Sequence, residues 1–110
     1  MNELQNKKVI DLPFVPKYCQ YNAHMFYIKV ENILERNKII NFLRERDVYS
    51  VFHYIPLHSS DAGHKFSVFC GEDKFTTKES ERLIRLPMYY GLKIENIEYI
   101  CSKIGEYYER

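Results

Sequence analysis

The spacing of apolar residues changes twice in the first half of the chain, and this change limits the folds that the chain can adopt. Asn22–Val30 alternates between two faces and is rich in strand-forming residues, which predicts a β-strand. Asn32 and Glu35 form a capping-box pattern, and apolar residues then recur at helical spacing over about 32–47. Val48–Ile55 is strand-like again and ends before a proline, which cannot donate to a sheet. The sequence therefore predicts a strand, a helix and a second strand in close succession.

The second half has weaker signals until its end. Asp61–Phe75 has no clean period, which predicts a long irregular loop. Thr76 and Glu79 resemble another capping box, so we expect a short helix through about residue 85, followed by a short strand or extended segment over 86–90. The last helix is the clearest, with apolar residues on one face: Ile94, Ile97, Ile100, Cys101, Ile104, Tyr107 and Tyr108.

These elements predict an α+β domain, in which a small antiparallel sheet is covered by helices on one face. The length of 110 residues suits one core. Residues 1–21, which contain Pro13 and Pro16, are predicted to be an extended lead-in or linker, so the domain itself is assigned to residues 22–110. Both faces of the predicted strands are partly apolar, so we expect the open face or the long loop to dock on a partner.

Composition excludes several classes of function. The net charge of +1 favours neither a nucleic acid nor an anionic membrane as a partner. Three widely spaced cysteines do not form a metal-binding motif and suit a reducing cytoplasm. The first residues lack the apolar run of a signal peptide, and no apolar stretch is long enough to span a membrane. We expect a cytoplasmic protein that is soluble.

The stretch VFHYIPLHSSDAGHKF, Val51–Phe66, holds the candidate functional residues. Its histidines could be metal ligands, but their spacing matches no common motif and no cysteine pair or glutamate completes the set. A serine nucleophile would need a base, an orienting acid and an oxyanion hole, and no such pattern is present. The sequence thus predicts no catalytic and no metal-binding residue. From the residues alone, both histidines can have purely structural roles, with His53 at the edge of the sheet and His58 in a solvated loop.

Three motifs in order resemble one known family. They are LPFVPKYCQYNAHMFYIKV, then VFHYIPLHSSDAG, then TKESERLIRLPMYYGL before the final helix. Together they resemble the C-terminal small domain of the DegT/DnrJ/StrS sugar aminotransferases, over about residues 12–108. The most similar group is the dTDP-4-amino-4,6-dideoxygalactose transaminases.

The resemblance implies a fold type I aminotransferase that uses pyridoxal 5'-phosphate. In such enzymes glutamate donates an amino group to a 4-keto-6-deoxy sugar nucleotide, as in the biosynthesis of lipopolysaccharide and other surface polysaccharides. The Schiff-base lysine belongs to the large domain, in a motif of the form SxxKxxxxGEGG, which this sequence lacks. We therefore expect a C-terminal fragment that holds no cofactor of its own and is inactive alone.

The resemblance also implies a role for the loop that follows the second predicted strand. It borders the cleft between the large and small domains and shapes the nucleotide-sugar pocket. The implied substrate-binding residues are His53, Tyr54, Leu57, His58 and Ser59. Polar side chains of these types can bond sugar hydroxyls, while apolar ones pack on a ring.

Two other interpretations stay open at this point. The chain could be a stand-alone module that binds a nucleotide sugar, or an interaction subunit of a split enzyme. The expected partners are accordingly a missing large domain or split-gene partner, a nucleotide sugar in the full enzyme, and a second copy of the chain in a homodimer.

Overall fold

The computed structural model describes all 110 residues and contains nine short elements. In chain order they are α1 (Asn2–Asn6), β1 (Phe26–Lys29), α2 (Ile33–Arg44), β2 (Val51–Phe52), a 3-10 turn (Leu57–Ser59), α3 (Asp61–Phe66), α4 (Thr76–Arg82), β3 (Leu83–Leu86) and α5 (Ile94–Tyr108). The strands form a small antiparallel sheet with the helices packed against it, so the predicted α+β class is confirmed. None of the helices is both long and apolar enough to cross a membrane.

The sheet has the strand order β1-β3-β2, so the last strand in sequence lies in the middle. Ile84 of β3 pairs with Ile28 of β1 on one side and with Phe52 of β2 on the other. Both outer strands run antiparallel to β3 and therefore parallel to each other, which requires α2 to cross over from one edge to the other.

The core lies between one face of this sheet and the helices α2 and α5. Ile28 and Ile84 from the sheet meet Ile39 and Leu43 from α2 and Ile104 from α5, and none of these five side chains is exposed. Burying each such side chain stabilises the fold by roughly 1.5–3 kcal/mol. The predicted stripe of α2 therefore faces the core, whereas in α5 only Ile100 and Ile104 of the predicted face are buried, and Ile94 and Ile97 are 61% and 40% exposed.

The start of α2 shows how the local sequence directs one element. The side chain of Asn32 accepts a hydrogen bond of 3.0 Å from the backbone N–H of Glu35. The carboxylate of Glu35 in turn accepts one of 2.8 Å from the backbone N–H of Glu31. The first bond satisfies an N–H group that a helix start otherwise leaves without a partner, and the second holds the residue before the cap, so the predicted helix start is confirmed.

The predicted boundaries around α4 are wrong in two respects. The helix ends at Arg82, and the next residues enter the sheet because Ile84 gains complete burial there. The predicted capping box is not formed, since α4 has no side-chain cap. Instead the carboxylate of Glu79 lies 2.6 Å from Lys29 and 3.2 Å from Arg82, which ties α4 to β1.

The first residues differ from the extended lead-in that the prolines indicated. They form α1, and Leu4 and Ile10 are buried in the core with 7% and 2% exposure. Asp11 exchanges two backbone hydrogen bonds with Lys29, of 2.8 and 2.9 Å, which extends the sheet beyond β1. Residues 1–11 are thus part of the packed domain, because their apolar side chains cover its core. The assignment of the domain to residues 22–110 therefore leaves out residues that pack on its core.

Candidate functional site

The segment after β2, which we call the arm (residues 54–75), is built by its own local contacts. The hydroxyl of Ser60 accepts from the N–H of Gly63 at 3.0 Å and donates to the carbonyl of Leu57 at 2.7 Å. A Cβ on Gly63 would lie 1.7 Å from that carbonyl oxygen, so only glycine allows the 3-10 turn to pack on α3. The irregular loop expected over 61–75 therefore contains a helix, because Ser60 caps it and Gly63 leaves room for the turn.

A cluster of side chains, which we call the clamp, joins the two ends of the arm. His58 Nε2 lies 2.8 Å from a carboxylate oxygen of Asp73 and 3.3 Å from the hydroxyl of Thr77. Thr77 donates its hydroxyl and its backbone N–H to the same carboxylate. The ring of Phe69 packs on the His58 ring at a centroid distance of 4.5 Å. The hydrogen bond from the Thr77 hydroxyl is the main cause that lowers the pKa of Asp73, with smaller contributions from His58.

The arm leaves its large apolar side chains in solvent. Phe66 is 78% exposed, Val68 94% and Phe75 74%. Phe69 contacts the clamp, so none of the arm's phenylalanines joins the core of the domain. The shape of the arm thus comes from polar contacts within it, while its apolar surface is free to meet another molecule.

The expected substrate-binding residues do not all lie together in the structure. His53 follows β2 and is half-buried, and its Nδ1 atom is buried without a hydrogen-bond partner. Burial, with the nearby charges of Arg85 and His24, lowers the pKa of His53. Its ring meets the ring of Tyr54 edge-on at 4.5 Å. His53 therefore lies beside Arg85, apart from the clamp that holds His58.

Tyr54 and Ser59 line one cavity of about 300 Å³ beside α2 and α4, which we call the arm cavity. The carbonyl of Tyr54 accepts a hydrogen bond of 2.6 Å from the Ser80 hydroxyl, and the carbonyl of Ser80 accepts one of 3.3 Å from Arg36. These bonds hold the wall of the cavity against both helices. Leu57 is 71% exposed and does not line it.

Arg36 is the functional candidate that the sequence reasoning missed. It occupies a position in the core-facing period of α2 and is only 9% exposed. A cation at a position where a helix otherwise buries apolar residues is unusual, since buried arginines are normally paired. A charged residue at a core-facing position of the predicted helix was the signal in the sequence that could have identified Arg36 as a candidate.

The chain's own residues do not fit the cofactor that the resemblance implies. A lysine that forms a Schiff base works in a desolvated pocket, where its amine is deprotonated more easily. Every lysine here is exposed or half-exposed, and Lys29 and Lys103 are engaged by carboxylates at 2.6 and 2.8 Å. None of these lysines lies in such a pocket. The structure also contains no cluster of three His, Cys, Asp or Glu residues that could hold a metal ion.

Comparison with known families shows to which family the chain belongs. The family model described as the DegT/DnrJ/EryC1/StrS aminotransferase family matches residues 1–105. The chain belongs to this family. Its members generally depend on pyridoxal phosphate.

Individual relatives are much longer than this chain. A "Pleiotropic regulatory protein" from Geobacillus stearothermophilus is 27% identical over 106 residues, which cover 96% of this chain and 28% of that protein. An aminotransferase of the family from Brucella abortus superposes with a TM-score of 0.80 at 25% identity, covering 99% of this chain and 28% of that one. The aminotransferase TlmJ from Streptoalloteichus hindustanus shares the fold, with a TM-score of 0.75 at 19% identity over 94% of this chain and 28% of its own. This family chain therefore spans little more than a quarter of each relative.

Proposed function

We propose that the chain is the C-terminal small domain of a pyridoxal-phosphate-dependent sugar-nucleotide aminotransferase. A separate large domain supplies the cofactor lysine and the reacting atoms, and this chain supplies one wall of the substrate cleft. The amino donor is glutamate and the acceptor is a 4-keto-6-deoxy sugar nucleotide, as in the dTDP-4-amino-4,6-dideoxygalactose transaminases. The enzyme works in the cytoplasm, where such nucleotides are made into surface polysaccharide precursors.

The observation that carries this proposal is the construction of the arm. Its own hydrogen bonds shape it, as the clamp illustrates, and yet Phe66, Val68 and Phe75 remain mostly exposed. A segment that is preorganised and apolar suits a surface that another domain covers. Family membership together with the coverage of 28% of each relative favours the large domain as that partner.

Within this proposal the chain's residues bind and orient the substrate. Tyr54 packs on a sugar or base ring, and the Ser59 hydroxyl bonds a sugar hydroxyl. Leu57 offers an exposed apolar side chain outside the cavity. His58 and His53 play different parts, because the Asp73 carboxylate engages His58 Nε2 whereas His53 keeps a buried Nδ1 without a partner. None of these side chains is assigned a proton transfer at the reacting carbon.

The experiment combines the purified chain with a separately expressed large domain of a family member that lacks its own small domain. Transamination is assayed with pyridoxal phosphate, glutamate and a 4-keto-6-deoxy sugar nucleotide. We expect no amino sugar from the chain alone, and both association and product from the mixture. Product formed by the chain alone would refute the proposed division of labour.

Two matched variants test the role of the arm in that association. Phe66→Asp places a charge on the arm, and Leu34→Asp places one on α2, where Leu34 is 69% exposed and Phe66 78%. Only the arm variant is expected to weaken association, by tenfold or more. Equal loss in both variants contradicts docking through the arm. Binding of the sugar nucleotide by the chain alone, without any association, would favour the stand-alone binding module instead.

A further inference from the structure

The guanidinium of Arg36 is buried without a countercharge in contact. Arg36 is 9% exposed, and none of the ion pairs in the structure, which join atoms within 4.0 Å, includes it. A buried charge is costly unless it is paired and fully hydrogen-bonded. Two half-buried arginines contrast with it, since Arg46 and Arg82 each contact a carboxylate.

The hydrogen bonds of Arg36 leave part of its donor capacity unused. Its Nε and one terminal nitrogen donate to the side chain of Asn37, at 3.2 and 3.1 Å, and the other terminal nitrogen donates to the carbonyl of Ser80. A guanidinium has five N–H donors, so two remain without a partner. Both partners are neutral, so these bonds supply no negative charge.

The arm cavity, which Arg36 lines, has both apolar and polar side chains in its walls. Ile33, Phe52 and Ile55 provide apolar walls, and Ser59 provides a hydroxyl. The ring of Phe52 lies 5.2 Å from the guanidinium carbon, which holds the charged plane in place. The volume of about 300 Å³ is at the lower end of the range for small-molecule sites.

We propose that the arm cavity binds the oxyanion of a small ligand that has an apolar body, with Arg36 as the group that contacts the anion. A carboxylate and a phosphate share this chemistry, because one N–H on each terminal nitrogen is left to donate to an oxygen of either group. Ser59 adds a further donor, and the apolar body lies against Phe52 and Ile55. The cavity shares Tyr54 and Ser59 with the substrate wall proposed above, but the anion site does not depend on that function, because every residue that lines it belongs to this chain.

Glu81 provides an internal check on this site. It also lines the cavity, and its charge acts on Arg36 from beyond contact distance, partly offsetting the effect of burial on the pKa of Arg36. A bound anion would be repelled by this carboxylate. Removal of the Glu81 charge is therefore expected to tighten anion binding, whereas removal of the Arg36 charge is expected to weaken it.

The test is a titration of the 15N-labelled full chain with phenyl phosphate, benzoate and benzyl alcohol. The Nε–H resonance of Arg36 reports contact directly, and the amide resonances of Ser59 and Ser80 report the walls. We expect saturable shifts with at least one of the two acids and none with the neutral alcohol. The acid that binds more tightly shows whether the site prefers a phosphate or a carboxylate.

Three variants give the expected directions. Arg36→Met should weaken binding of the better acid at least tenfold, and Arg36→Lys, which keeps the charge but loses the fork, should weaken it severalfold. Glu81→Gln should tighten it about threefold. Should Arg36→Met fail to fold, the Nε–H shift of the wild-type chain and the Glu81→Gln affinity still decide the question.

The proposal is overturned if benzyl alcohol binds as well as the acids, if neither acid moves the Arg36 Nε–H resonance, or if Glu81→Gln leaves the affinity unchanged. Those results would mean that Arg36 has only a structural role, in which its hydrogen bond to Ser80 links α2 to α4. The test uses this chain alone, so its outcome is independent of whether a large domain associates.

Discussion

Replacement of Gly63 by alanine tests how the arm is held together. The added methyl group would lie 1.7 Å from the carbonyl oxygen of Leu57 and 2.7 Å from its carbon, both of which are backbone atoms. Backbone cannot move aside as a flexible side chain does, so the 3-10 turn and α3 must separate. The change therefore breaks the contact on which the arm depends.

The size of the effect follows from where Gly63 lies. Overpacking of this kind costs typically about 1–3 kcal/mol. The arm's phenylalanines are not part of the core cluster, so the arm can open while the sheet and α2 remain folded. The loss should thus appear as local opening of the arm, and the global free energy of unfolding should fall by no more than the free energy of opening the arm.

Native-state hydrogen exchange measures this opening. The amide of His64 donates to Ser60 at 2.9 Å and that of Ser67 donates to Gly63 at 2.9 Å, so both should exchange faster by about tenfold or more in Gly63→Ala. Gly105→Ala in α5 is the matched control. A methyl group there meets nothing within 4 Å, so this variant should gain roughly 0.5–1 kcal/mol from reduced chain entropy.

Unchanged exchange at these two amides would refute the reasoning about close packing. Equal acceleration at Ile28 and Ile84 in the sheet would refute the separation of the arm from the core. If Gly105→Ala destabilised the chain, the distance from an added Cβ to its neighbours would not predict the effect of replacing a helical glycine on stability.

The remaining predictions concern the core, the clamp and association. Ile84→Ala should lower the free energy of unfolding in urea by about 2–5 kcal/mol, whereas Leu34→Ala should stay within about 0.5 kcal/mol; similar losses would contradict the assigned core. Because the pKa of Asp73 is depressed when folded, its contribution to the clamp is complete above the ordinary value of 3.8 and is lost as the pH falls through the lower folded value. The amide resonance of Thr77 should therefore titrate with a midpoint below 3.8, and a midpoint at or above that value would contradict the clamp. The isolated chain should self-associate through its exposed apolar surface, which Phe66→Asp should reduce; a wild-type monomer at high concentration in light scattering would oppose this.

Elements with strong local signals were predictable from the sequence. The start of α2 depends on Asn32 and Glu35, which are close enough to form the cap in any context where a helix begins. The presence of α5 was predicted from its apolar period, and Ile100 and Ile104 of that face are buried in the core. The α+β class followed from the order of these signals.

Elements whose stability depends on distant residues were predicted less well. Ile84 and its neighbours follow a helix without a turn residue, and local preference alone extended that helix to about residue 85. Between β1 and β2 the same residues gain backbone partners on both sides. Likewise Leu4 shows no periodic pattern, and only contact with the core distinguishes it from a linker residue.

The candidate site divides along the same line. The sequence by itself determined which residues stand after β2, and the resemblance singled out five of them. Only the tertiary structure decided that Tyr54 and Ser59 share a cavity with Arg36, while Asp73, 15 positions further along the chain, engages His58. The physical reason is range: caps and helical faces arise between residues about four positions apart, whereas a cavity or clamp depends on how separate elements pack.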